Sequence, residues 1–110
     1  MRIKTIASLL LALLGVALGP LVQAQSMATQ EALYARSLAA TCANCHGTDG
    51  RAAPGSSLTG LAGLDKNYIV AQMKAFQAGS RPATVMHQIS KGFSDTQVEA
   101  LATYFAALKK

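Results

Sequence analysis

The apolar positions fall into two regimes. From Ile6 to Leu18 they run almost unbroken, with only Ser8 and Gly15 between them, whereas beyond Gln25 they recur at helical spacing. Thr29 to Ala40 is rich in strong helix formers and offers Leu33 and Leu38 among Ala35, Ala39 and Ala40 as a buried face, which predicts a helix running into the cysteines that follow. Gly47 to Gly63 sustains no period and is crowded with Gly, Ser, Thr and Pro, the mark of an ordered loop or a string of turns. Asp65 is placed to cap a second helix over Lys66 to Ala78, whose Tyr68, Ile69, Met73 and Phe76 share a face and which Gly79 would stop. After the connector Ser80-Arg81-Pro82, Val85 to Ser90 predicts one short helical turn. The last helix has a capping box in Ser94 and Gln97, an apolar stripe at Val98, Leu101, Ala102, Phe105 and Leu108, and Lys109-Lys110 at its negative end. No segment alternates like a strand and nothing repeats, so the expected class is all-α with one long loop.

The first regime reads as an export signal. Arg2 and Lys4 supply its positive start, Gly19-Pro20 ends the apolar core, and Val22-Gln23-Ala24 predicts cleavage after Ala24. A membrane span would need about 20 apolar residues, which Gly19-Pro20 prevents. No cysteine follows the expected cleavage point to take a lipid. The expected organisation is therefore a leader over 1–24 and a single domain over 25–110, located in the periplasm.

That domain is small for a self-sufficient core, and the 51% apolar composition of the whole chain is inflated by the leader. A bound apolar group would supply the missing mass. Without Arg2 and Lys4 the formal charge falls from +5 to +3, and no basic cluster argues for nucleic acid. Lys66, Lys74, Arg81 and Lys91 are candidates for steering an acidic partner, with solvated surface charge as the alternative.

The only two cysteines stand in Cys42-Ala43-Asn44-Cys45-His46, the Cys-x-x-Cys-His pattern of covalent haem attachment. At about 100° per residue, Cys45 lies at about 300° and His46 at about 40° from Cys42, so the three side chains share one sector. Two thiols so placed reach the two vinyl groups at one porphyrin edge while the imidazole turns to the iron. Cys42 and Cys45 are thus the expected thioether positions of one haem c, and His46 the proximal ligand. A disulfide or a thioredoxin-type pair would not call for His46, and zinc would have only Cys42, Cys45, His46 and His87 to draw on.

An electron carrier of this kind needs a sixth ligand, from Met27, Met73, Met86, His87 or, as a weaker candidate, a lysine. Met27 lies close to the expected new N-terminus, and Met73 sits on an apolar helical stripe where methionine fills core space. Met86 follows a proline-containing loop just before the last helix and is the expected distal ligand, with neighbouring His87 as its rival.

An attachment motif near the start, a methionine loop late and a closing amphipathic helix resemble the class I c-type cytochromes across the whole expected domain. The resemblance implies a small fold of three to four helices and a long loop wrapped around one covalent haem, with the first and last helices crossing. Tyr34 and Leu38 would meet Leu101, Tyr104 or Phe105 there, with Ala35 or Ala39 as the small residue at the contact. It also implies that a proline-region carbonyl accepts the proximal imidazole N–H, for which Pro54 is the nearest match.

Three segments, Thr41–Gly50 (TCANCHGTDG), Leu58–Gly63 (LTGLAG) and Arg81–Asp95 (RPATVMHQISKGFSD), are similar to the monohaem cytochrome subunit of flavocytochrome c sulfide dehydrogenase. That family implies a periplasmic one-electron carrier, not catalytic alone, that accepts electrons from an FAD-containing sulfide dehydrogenase subunit and passes them to other redox proteins, with Met86 as distal ligand. A free periplasmic shuttle between redox complexes is the alternative.

Overall fold

The computed structural model describes residues 23–110, which fall into two compact units divided between Leu33 and Tyr34. The charged start and apolar core of the expected leader, 1–22, lie outside the described residues. In the first unit, residues 23–33 are helical and exposed, so the helix expected from Thr29 is already present at residue 23, the first described residue.

The second unit is helical throughout its regular structure. Its helices are α1 (34–40), α2 (Ala43–His46), α3 (Lys66–Gln77), α4 (Met86–Ile89) and α5 (Asp95–Ala107), with 3-10 turns at Thr48–Gly50 and Ser90–Gly92. Among the described residues there is no strand.

Local chemistry explains where the two long helices start. The Asp65 carboxylate accepts from the Tyr68 N–H at 2.9 Å, satisfying a donor that the first turn of α3 leaves unpaired. At α5 the Ser94 hydroxyl accepts from the Gln97 N–H, and the Gln97 side chain accepts from the Ser94 N–H at 2.9 Å, closing the expected capping box. Helix α3 ends where Gly79 takes a positive φ of 72°.

The core lies where α3 and α5 pack and α1 meets them. Ala39, Ile69, Leu101, Ala102 and Phe105 form one buried cluster, with Leu38, Cys42, Met73 and Tyr104 packed against it. Phe105 is 1% exposed, and burying a side chain of that size contributes about 2 to 3 kcal/mol. Ala39 is therefore the small residue of the helix contact, and Met73 has the packing role its stripe suggested. Tyr34 is half-exposed, its hydroxyl accepting from Gln97 Nε2 at 3.2 Å.

Two ion pairs cross from α3 to α5, Lys66 to Glu99 at 2.9 Å and Lys74 to Asp95. Both lysines are thus committed within the chain and are not free cations for steering a partner.

Candidate haem site

The attachment segment is a helical turn in its own right. The Thr41 hydroxyl and N–H both close on the Leu38 carbonyl, ending α1. Cys42 takes helical angles (φ −84°, ψ −20°), and its carbonyl accepts from the N–H groups of Cys45 and His46 at 3.3 and 3.0 Å. This turn places Cys42, Cys45 and His46 in the common sector that their spacing demands. Both cysteines are free thiols, so no disulfide joins them. Cys42 is half-buried against the core, and burial pushes its thiol above the ordinary range, with the Thr41 hydroxyl partly opposing the shift. Among the described residues no three His, Cys, Asp or Glu side chains cluster as a metal site.

His46 is oriented by the backbone. Its Nδ1 lies 2.7 Å from the carbonyl oxygen of Thr59. A carbonyl only accepts, so Nδ1 carries the proton and Nε2 keeps its lone pair for a metal. The resemblance pointed to a carbonyl near Pro54 as acceptor of the imidazole N–H, and in the structure the acceptor is the Thr59 carbonyl. Pro54 is exposed in a turn closed by the Ser56 N–H on the Ala53 carbonyl, whereas Thr59 is where the loop returns beneath the imidazole. The signal for Thr59 in the sequence is weak, because a backbone acceptor needs no particular side chain.

The return of the loop depends on Gly50. Its carbonyl accepts from Leu61 N and Ala62 N at 2.7 and 3.1 Å, and Gly63 N donates to the Phe105 carbonyl at 2.8 Å. Gly50 is buried at φ 71°, and a Cβ there would lie 2.9 Å from the Phe105 ring and 2.8 Å from Leu61 Cβ. Only glycine lets the loop lie this close to α5. Beside it, Asp49 at φ 54° accepts from the Tyr104 hydroxyl at 2.6 Å. That bond, with burial and the nearby carboxylate charge, raises the Tyr104 phenol above its usual range. Arg51 joins the same group, 3.8 Å from the other Asp49 oxygen and donating to the Lys109 carbonyl at 3.0 Å.

Met86 stands on a separate segment as the first residue of α4 and is half-buried. The neighbouring His87 has a buried Nδ1 without a hydrogen-bond partner. Leu58, which precedes Thr59, and Tyr68, Val85 and Ile89 are each about half exposed although large and apolar. Two free thiols and a pre-oriented imidazole on one turn, with unpaired apolar surface beside Thr59 and on either side of Met86, fit the donor set and the apolar bulk of a haem.

Residues 25–105 match the family model described as cytochrome C oxidase, cbb3-type, subunit III. This chain belongs to that family of c-type cytochromes. As a c-type cytochrome it binds haem c covalently and carries electrons.

It is similar to a thiosulfate dehydrogenase electron acceptor of Thiomonas intermedia (42% identity, covering 64% of this chain and 33% of that protein). It is also similar to the cytochrome subunit of sulfide dehydrogenase of Chlorobaculum tepidum, at 37% identity, covering 66% of this chain and 64% of that subunit. Among solved structures it resembles a cytochrome c4 of Acidithiobacillus ferrooxidans (TM-score 0.57, 37% identity, 61% of this chain and 38% of that one). The cytochrome therefore spans about a third to two thirds of the length of these three relatives. Among the described residues, no helix is long and apolar enough to cross a membrane.

Proposed function

We propose that this cytochrome is a periplasmic carrier with a single haem, serving as the electron-accepting subunit of a flavin-containing sulfide dehydrogenase. The observation that carries the electron-transfer chemistry is the His46–Thr59 contact, which fixes one imidazole tautomer on the turn that bears both thiols. Haem c, when bound, supplies a one-electron iron couple. Cys42 and Cys45 would tether it through thioethers, and His46 Nε2 and the Met86 thioether would hold its iron. With His46 and Met86 both holding the iron, no site would be left on it for a substrate, and the chain would act as a carrier rather than as a catalyst by itself.

The sulfide assignment is supported by the Chlorobaculum subunit, two thirds of whose length this chain covers, and by the resemblance of the Arg81–Asp95 segment. The Thiomonas acceptor, more similar in identity, favours a second reading in which the cytochrome shuttles freely between redox complexes. Native co-purification from the source cells separates the two. Elution with a flavoprotein that reduces the cytochrome when sulfide is added supports the subunit, and elution of the cytochrome alone sinks it.

A further inference from the structure

The segment that carries Met86 is attached to α3 by side chains at both ends. At its start Arg81 Nη1 donates to Gln72 Oε1, and the guanidinium lies 4.7 Å from the centroid of the Phe76 ring. At its end Gln77 Nε2 donates to two carbonyls at once, those of Ser90 and Phe93, each at 3.0 Å. Between these points the backbone bonds are local, from Gln88 and Ile89 to Val85 and from Phe93 to Ser90, and no backbone bond joins residues 82–93 to α3. The N–H groups of Ser80 and Arg81 also donate to the Ala75 carbonyl of α3, at 3.0 and 3.2 Å, so the backbone shares in the anchor at the start, while the anchor at the far end rests on the Gln77 side chain. Gln77 is well suited to the task, because a primary amide has two N–H groups and can satisfy both carbonyls of a turn.

We infer that Gln77 and Arg81 are positioning residues for Met86, setting how firmly the distal methionine resists displacement by another ligand. The inference rests on the reading of Met86 as distal ligand. Neither side chain has to touch the iron for this. An incoming ligand binds only when the Met86 segment has swung away, so its apparent affinity scales with the population of the open state. Each hydrogen bond from Gln77 favours the closed state, and losing both should raise the open population about tenfold or more. Arg81 acts at the other end by the same logic.

The test is a titration of the oxidised holoprotein with imidazole, followed through the methionine-to-iron absorption band at the red end of the spectrum. Gln77→Glu keeps the size of the side chain but turns a carboxylate towards two carbonyls. It is expected to bind imidazole about tenfold more tightly than the wild type, with an unchanged helical circular dichroism signal. An affinity equal to that of the wild type overturns the inference. Should that variant fail to fold, Arg81→Met, which keeps the stem and loses the guanidinium, is expected to shift the titration in the same direction, and an unshifted titration overturns the inference equally. A wild-type protein without the methionine band would instead overturn the Met86 reading beneath it.

Discussion

His46 Nδ1 sits 2.7 Å from the Thr59 carbonyl oxygen, in a loop whose return is held by Gly50 against Phe105. The contact fixes the tautomer of the imidazole, and the packing of one glycine fixes the contact. Gly50→Ala is therefore expected to cost about 3 kcal/mol, combining overpacking against Leu61 and Phe105 with a left-handed backbone angle. Gly55→Ala is the control, since Gly55 has φ 79° but its Cβ would meet nothing, and it should cost only about 1 to 2 kcal/mol. Urea unfolding of the two variants measures the difference.

Tyr104 and Asp49 join α5 to the same loop. Tyr104→Phe should cost about 1 to 2 kcal/mol for a bond to a carboxylate. The phenol has a raised pKa in the fold, so its contribution is complete below the unfolded value, about pH 10, and is lost as pH rises through the folded one. Thermal melts between pH 8 and pH 11 should show the wild type losing its advantage over Tyr104→Phe at the alkaline end. A constant difference would count against the bond.

The ion pairs from α3 to α5 are exposed at both ends, and exposed pairs contribute little. Lys66→Ala and Lys74→Ala should each change stability by no more than about 1 kcal/mol, read by urea unfolding. Larger losses would give these pairs a structural weight that their exposure argues against.

Met86→Ala should abolish the methionine-to-iron band, let the reduced protein bind carbon monoxide and lower the reduction potential. An unchanged spectrum would transfer the distal role to another side chain, with His87 the nearest candidate.

Much of this was legible because it is local. Asp65 and Ser94 announced their caps, the Val98 to Phe105 stripe is the buried face of α5, and the Cys42 to His46 spacing required the turn that is present. What escaped the sequence is made by the backbone or between distant positions. Thr59 acts through a carbonyl that every residue has, so the expectation fell on Pro54. The commitment of Lys66 and Lys74 to Glu99 and Asp95 emerges only once α3 lies beside α5. Gln77 carries no signal in the sequence, because its amide meets the carbonyls of Ser90 and Phe93 only in the folded chain.

The central claim is that Cys42 and Cys45 hold a haem covalently beside His46. Mass spectrometry of protease fragments from the denatured holoprotein tests it most directly. The account expects the fragment containing Cys42 and Cys45 to carry the mass of one haem. A fragment with the mass of the bare peptide and two free thiols would contradict it.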